Sequence, residues 1–172
     1  MLTALVTASV ILVVLCLIVS ASATARYMDY LSGYWTVHPD FAAKAKLSEF
    51  QLFIGPREAN RSEPRAGYLI VVDHAGEPLA NRPVDITATA RAGSALVAAA
   101  RARHDEFQGR LEIAATGAAS PLGIPGALDF SLSTLDGTLT LFDKGAVYAC
   151  LVKDIATSEI ALRAYETGAI KD

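Results

Sequence analysis

The chain opens with a long apolar stretch and then changes to short runs in which apolar and polar residues alternate. Residues 2–25 (LTALVTASVILVVLCLIVSASATA) contain no charged side chain, and charge returns with Arg26. A helix of this length measures about 36 Å at 1.5 Å per residue. That is enough to cross the roughly 30 Å hydrocarbon core of a bilayer. We therefore predict a transmembrane anchor at residues 1–25.

A cleavable secretory signal peptide is the main alternative, and a buried core helix is a third. Residues 21–23 (ASA) and 23–25 (ATA) match the small-residue pattern of signal-peptidase sites. However, residues 1–3 (MLT) carry no Lys or Arg, whereas a signal peptide normally begins with a basic region. The apolar stretch is also longer than the usual length of about 7–15 residues. The pattern favours an uncleaved anchor.

Basic and aromatic residues follow the apolar stretch closely. Arg26, Lys44 and Lys46 come after it and no basic side chain precedes it, so the positive-inside rule places the rest of the chain on the cytosolic side. Tyrosine favours the headgroup level, where its ring is in apolar surroundings and its hydroxyl is wet. We therefore predict that Tyr27 and Tyr30 lie at the membrane interface.

Residues 26–48 read as an aromatic juxtamembrane segment. Trp35 is predicted to pack in the core of the following domain as its first large hydrophobe. Apolar residues recur at helical spacing within residues 39–47, and Asp40 is suited to cap the start. The segment therefore also contains a predicted short helix of one or two turns.

Short alternating runs predict a β-domain at residues 49–172. Leu128, Phe130 and Leu132 alternate with polar residues, and Asp136-Gly137 between two such runs is typical of a tight hairpin. About eight short strands with turns every 8–12 residues or so indicate a mainly β fold, either an antiparallel sandwich or an up-and-down barrel. The predicted strands cover residues 50–54, 68–73, 83–90, 95–103, 110–113, 128–133, 138–142 and 147–152.

Three segments are less regular. Residues 57–67 are charged and poor in apolar side chains, so we predict an exposed loop. Residues 95–103 (ALVAAARAR) favour helix by propensity, but their neighbours are short strands, and we predict a strand. Residues 159–165 fit either a strand or a terminal helix.

Charge and cysteine content narrow the function classes. The net charge of −3 offers no electrostatic footprint for nucleic acid. Cys16 lies in the apolar stretch and Cys150 in an apolar run, so the β-domain has one thiol and no internal disulfide is possible. This fits a reducing compartment.

Reactive-site motifs are absent from the sequence. It has no glycine-rich phosphate loop, no H-E-x-x-H, no C-x-x-C and no G-x-S-x-G. Asp73-His74 and His104-Asp105 place carboxylates beside imidazoles, but both lie in predicted turns, where solvated polar groups are the ordinary explanation. We predict no enzymatic activity, no metal and no cofactor.

Contacts with other proteins are predicted at two places, in addition to exposed strand edges. Leu122 and Ile124 lie in a Gly/Pro-rich loop, where exposed apolar side chains suggest a partner. Arg101 and Arg103 are of the type favoured at interfaces, because guanidinium pairs bidentately with carboxylates. The alternatives are a loop folded back onto the sheet and arginines that are simply solvated.

Four segments carry a resemblance to a known group of proteins: residues 31–35 (LSGYW), 39–41 (PDF), 47–56 (LSEFQLFIGP) and 67–73 (GYLIVVD). Their succession resembles small N-terminally membrane-anchored virion proteins of large DNA viruses of algae and protists, over residues 27–73. The resemblance implies a minor capsid protein of a larger assembly. It would sit in a viral internal membrane or host ER-derived membrane, with its β-domain facing other capsid proteins.

A second resemblance leaves an alternative function open. Residues 33–35 (GYW) resemble the G-x-W sequence that opens lipocalin barrels, which implies an anchored or secreted carrier of an apolar ligand. The interior of the β-domain discriminates between the two hypotheses. A packed core favours a structural protein, whereas an open apolar cavity of several hundred cubic ångströms favours a carrier.

Overall fold

The computed structural model describes residues 2–42, 47–58, 63–101, 106–117 and 122–169. Within these ranges it has four helices and eight strands. They are, in order, α1 (Leu2–Tyr30), β1 (Gly33–Val37), α2 (Pro39–Ala42), β2 (Leu47–Ile54), β3 (Arg65–Asp73), β4 (Pro78–Ala90), α3 (Ser94–Ala100), β5 (Glu106–Ala115), β6 (Ala127–Ser133), β7 (Thr138–Asp143), β8 (Ala146–Asp154) and α4 (Ile155–Glu166).

The eight strands form one closed antiparallel barrel in sequential order. Each strand pairs with the next, and β8 returns to pair with β1, which sets Trp35 opposite Lys153. The predicted mainly β fold is confirmed, and of the two architectures left open the up-and-down barrel is the one adopted. Closure pairs both edges of every described strand. The described strands therefore include no edge strand, although residues 78–83 of β4 pair with β3 alone.

Alternating side chains fill the inside of the barrel. On β6, Leu128, Phe130 and Leu132 are buried while the residues between them face outward. Trp35 is fully buried, as predicted, together with Phe50. A large apolar side chain buried in this way stabilises a fold by about 1.5–3 kcal/mol. The barrel is thus held by a continuous core along its axis.

The up-and-down order sorts the connections between strands to two ends of the barrel. At one end lie the α1–β1 junction, the β2–β3, β4–β5 and β6–β7 connections and the start of α4. We call this end the base. The opposite end, the top, carries α2 and the connections β3–β4, β5–β6 and β7–β8. The apolar helix therefore leaves the barrel at its base.

Helix α4 packs on the outside of β1 and β2. Gly33 has a positive φ of 127°, and a Cβ there would lie 2.7 Å from the Ser158 hydroxyl, so glycine permits the close approach. The Ser158 hydroxyl accepts a 2.7 Å hydrogen bond from the amide of Tyr34. Phe53 packs against Tyr165, with 6.4 Å between ring centroids. Residues 159–165, for which both a strand and a terminal helix were predicted as possible, are helical.

Two local predictions are wrong. Residues 94–100 form α3 instead of a strand, because alanine favours helix and Ala95 and Ala98, three residues apart, are buried on one helix face. The predicted loop at 57–67 is interrupted by β3, which begins at Arg65, a residue only 3% exposed. Strand β1 was not predicted at all, so the segment 26–48 contributes to the barrel instead of standing apart from it.

Candidate functional site: the junction of helix and barrel

The N-terminal part of α1 exposes apolar side chains in every direction. It is the one helix among the described residues that is long and apolar enough to cross a membrane, with a mean hydropathy of 2.6 over its most apolar window. None of that window is buried. A helix that is apolar all round is typical of a membrane span or of a signal sequence. The large exposed side chains are Val6, Val10, Ile11, Leu12, Val13, Val14, Leu15, Leu17, Ile18 and Val19.

The last turn of α1 belongs to the barrel core. Tyr27 is 1% exposed, and Met28 and Leu31 are also buried. The Tyr27 ring stacks on Phe107 with 4.8 Å between centroids, and Phe107 in turn contacts Phe130. The helix therefore continues past the predicted boundary at residue 25 and closes the base of the barrel. The Tyr27 ring, predicted to lie in contact with the headgroups, is instead buried inside the protein.

Tyr30 is half-buried at the same end. Its ring meets Trp35 edge to face, with centroids 6.3 Å apart. The Trp35 indole N–H donates a 2.8 Å hydrogen bond to the carbonyl oxygen of Leu31, the residue that follows the helix. Tyr30 is thus at the base beside the point where α1 leaves the barrel, and its membrane-interface location stays a prediction.

Lys153 supports the C-terminal end of α1 from β8. Its ammonium donates to the carbonyl oxygen of Tyr30 and lies 4.0 Å from the centroid of the Tyr30 ring and 5.4 Å from that of Trp35. Burial lowers the pKa of Lys153 to about 8. The carbonyl at the helix end and the two ring faces are groups that attract a nearby cation.

Arg65 binds the same helix end from β3. Its Nη1 donates 2.8 Å to the carbonyl oxygen of Met28 and 3.4 Å to the hydroxyl of Ser32. Its Nε is 3.0 Å from Oε1 of Glu63, whose Oε2 accepts from the amide of Ala88. Burial lowers the pKa of the Arg65 guanidinium, and the Glu63 carboxylate raises it. Two barrel cations therefore hold carbonyl groups that the helix itself cannot pair.

Neither cation was predicted as a site residue, although the sequence carries a signal for both. Arg65 shares the period-two face of Leu69 and Val71, which are buried. Lys153 shares the face of Leu151 in the same way. Continuing the alternation of inward-facing residues by one or two further positions along each strand would have predicted that both side chains face the inside of the barrel.

Of the predicted partner-contact residues that the structure describes, Leu122 and Ile124 lie at the top of the barrel and Arg101 lies at its base. Ile124 is 7% exposed and belongs to the core, and Leu122 is half-buried. The amide of Gly123 donates to the carbonyl oxygen of Leu79, so the loop folds over the top of the barrel. Its prediction as a partner contact is corrected for Ile124. Arg101 is exposed at the base, after α3, and Arg103 lies outside the described residues.

The carboxylate–histidine pairs show turn geometry where they are described. Oδ1 of Asp73 accepts the amides of Ala75 and Glu77, which shapes the β3–β4 turn. His104 and Asp105 lie outside the described residues. Within the described ranges, no group of three or more His, Cys, Asp or Glu side chains could hold a metal ion.

The outer face of the barrel carries a groove over β4–β7. Its volume is about 710 Å³. Side chains of both charges line it, including Arg91, Arg110, Glu106 and Asp129, together with Phe142. Aromatic side chains and arginine, both present in this groove, are enriched at surfaces that contact protein.

Comparisons with protein-family models, curated proteins and solved structures found no match to this chain.

Proposed function

We propose that this chain is a single-pass membrane protein whose α1 remains attached and whose barrel acts through contacts with other proteins. The observation that supports this most is the continuity of α1. The exposed apolar helix runs without a break into a last turn that is part of the barrel core. Cleavage after Ala25 would leave a chain end one residue before the buried Tyr27.

The filled interior supports a structural role over that of a carrier. Carriers of apolar ligands hold them in cavities of roughly 300–1,000 Å³. Here Trp35, Phe50, Phe107 and Phe130 occupy the barrel axis, and Tyr27 closes its base. The closed barrel and the G-x-W sequence at β1 are also compatible with the lipocalin-like hypothesis. The packed core favours the structural hypothesis, with the groove over β4–β7 as the contact surface.

The resemblance over residues 27–73 gives this proposal its finer form. The protein is then a minor capsid protein that links a viral internal membrane to the capsid shell. The basic residues Arg26, Lys44 and Lys46 after the apolar stretch support a barrel on the cytosolic side. In an ER-derived internal membrane, that side faces the capsid.

Membrane extraction with carbonate, combined with intact-mass measurement, tests the anchor. We expect the full chain to stay in the pellet at its uncleaved mass. The double variant Leu12→Arg/Leu15→Arg should move to the supernatant, because each central arginine costs about 2.5–3.5 kcal/mol on insertion scales. Leu12→Ala/Leu15→Ala is the matched control and should stay in the pellet. Wild-type protein in the supernatant, or a mass lacking the first 23 or 25 residues, would overturn the proposal.

Photo-cross-linking in native membranes or particles tests the contact surface. A photoreactive amino acid at Arg110, in the groove, should give discrete adducts with other structural proteins. The same residue at Glu159, exposed on α4, serves as the control and should give few. Adducts from Glu159 alone would move the partner surface away from the groove and contradict this part of the proposal.

A further inference from the structure

We propose that the base of the barrel itself rests in the membrane, through exposed apolar side chains around the exit of α1. This inference rests on the proposed anchoring and adds a second lipid contact to it. Four side chains make up this base ring: Leu96, Val97, Leu135 and Ile155.

All four positions lie at the end from which α1 leaves the barrel. Leu96 and Val97 are on α3, in the β4–β5 connection. Leu135 is in the β6–β7 turn, and Ile155 begins α4 directly after β8. In a closed up-and-down barrel these connections share one end with the start of β1.

The ring also lies close to α1. Helix α3 packs against α1. The β6–β7 turn is beside the last turn of α1, since a Cβ at Gly137 would lie 3.6 Å from the Tyr30 hydroxyl. Val19 is the last strongly exposed large apolar residue of α1, and Tyr27 is already inside the core. These eight residues rise about 12 Å, against a headgroup layer of roughly 5–8 Å, so the base lies close to the lipid surface.

All four ring side chains are exposed, whereas the other exposed large apolar side chains after α1 among the described residues are single ones on β3, β8 and α4: Tyr68, Val147 and Ile160. Leu96 and Val97 are 39% and 49% exposed, and Leu135 and Ile155 are each 66% exposed. Ala95 and Ala98 face the protein from the other side of α3, so Leu96 and Val97 point away from it. The top of the barrel exposes far less: among large apolar side chains of the described top connections and adjoining strand ends, Val147 is the exposed one.

Charges at the base carry both signs and do not select an anionic lipid. Arg26, Arg91 and Arg101 are exposed there, as are Asp29 and Glu106. Asp29 is also paired with a neighbouring arginine at 2.9 Å. The contact we propose is therefore that of apolar side chains with the headgroup layer and its boundary with the acyl chains, and zwitterionic phosphatidylcholine is a sufficient partner.

Site-specific fluorescence in nanodiscs tests the base ring on the full chain. Cys16→Ala/Cys150→Ala gives a background without thiols, into which single cysteines are placed and labelled with the environment-sensitive dye NBD. Leu96→Cys and Leu135→Cys report on the ring. Val147→Cys, an exposed residue at the top, is the matched control. Leu12→Cys reports on the anchor. Phosphatidylcholine discs are made without a quencher, with lipid spin-labelled near the headgroup, and with lipid spin-labelled deep in the acyl chain, the last being the quencher for position 12.

We expect labels at positions 96 and 135 to show blue-shifted emission and to be quenched by lipid spin-labelled near the headgroup, while position 147 shows neither. Quenching at position 12 with wet, unquenched labels at 96 and 135 would overturn the base ring and leave the anchor intact. Loss of quenching at position 12 would instead overturn the anchoring itself. A blue shift at 96 without lipid quenching, seen only in discs that hold two copies, would assign the ring to a second copy of the chain and overturn the lipid contact.

Discussion

Arg65 shows how one side chain joins two parts of this protein. Its guanidinium is buried, with hydrogen bonds to the carbonyl of Met28 and the carboxylate of Glu63, and its Nη2 has no protein partner among the described residues. A buried cation is costly unless its donors are used. Here the cost is offset by pairing carbonyl groups at the end of α1, so the residue couples the helix to β3.

Replacing Arg65 with leucine should destabilise the barrel strongly. We expect Arg65→Leu to lower the free energy of unfolding by about 3–5 kcal/mol, because the half-buried Glu63 carboxylate and the Met28 carbonyl lose their partner. Guanidinium unfolding in detergent micelles, followed by fluorescence of the single tryptophan, measures this. Arg110→Leu is the control: Arg110 is 55% exposed and its ion pairs span 3.8–3.9 Å, so about 1 kcal/mol or less is expected. Equal losses in the two variants would contradict the assigned role.

The lowered pKa of Lys153 leads us to expect that the free energy of unfolding rises with pH. Its pKa is about 8 in the folded protein against 10.5 unperturbed. Between these values the unfolded chain binds a proton that the folded one lacks, so the free energy of unfolding rises with pH from about 8 to about 10.5. Tyr34 and Tyr148, whose pKa values are raised by burial, act oppositely near pH 10. The measurement is therefore the stability difference between wild type and Lys153→Met, which should grow from pH 8 to 10. A difference that stays constant would show that Lys153 remains protonated in the fold.

The local sequence pattern was sufficient to predict strands in which apolar and polar residues alternate. It was insufficient to predict elements that depend on contacts with distant residues. Residues 128–133 were predicted as a strand because each alternate side chain faces the core. By contrast, β1 has five residues between a helix and a proline, and its pairing with β8, more than a hundred residues later, leaves no local trace. Residues 95–100 were misassigned because neighbouring strands outweighed the helix propensity of alanine.

Only part of the candidate site was predicted, again because local pattern does not report contacts between distant residues. The apolar span is evident from composition alone. Tyr27 was placed at the headgroups because an aromatic residue after such a span is typical of an interface. Its actual position depends on stacking against Phe107, which lies 80 positions away and is brought near only by closure of the barrel.

The last turn of α1 should behave as a barrel element in mutagenesis. We expect Tyr27→Ala to lower the free energy of unfolding by about 3–5 kcal/mol, as for other large-to-small changes of a buried aromatic. Tyr68→Ala is the matched control, because Tyr68 is 39% exposed on β3 and should cost about 1 kcal/mol or less. Denaturant midpoints in micelles compare the two. Similar midpoints would show that α1 and the barrel are independent units.

At the scale of the whole molecule, the filled barrel should not take up an apolar ligand. Trp35 is fully buried beside the core aromatics, so a lipid probe such as cis-parinaric acid should produce no saturable quenching of its fluorescence in micelles. The outer groove over β4–β7 is lined largely by charged and polar residues and should not substitute for a cavity. Stoichiometric, saturable binding would revive the carrier hypothesis. A lipocalin measured in the same micelles is the positive control.

Only two residues, Leu31 and Ser32, separate the end of α1 from the start of β1, and both are buried. Such a short, buried connection does not allow the helix to rotate relative to the barrel. The tilt of the helix in the bilayer therefore also sets the tilt of the barrel. An apolar helix of about 36 Å leans over in a hydrocarbon core of about 30 Å and stands straighter in a thicker one. Bilayer thickness should therefore set the direction in which the top of the barrel points, so that a thicker or thinner membrane presents the top at a different angle.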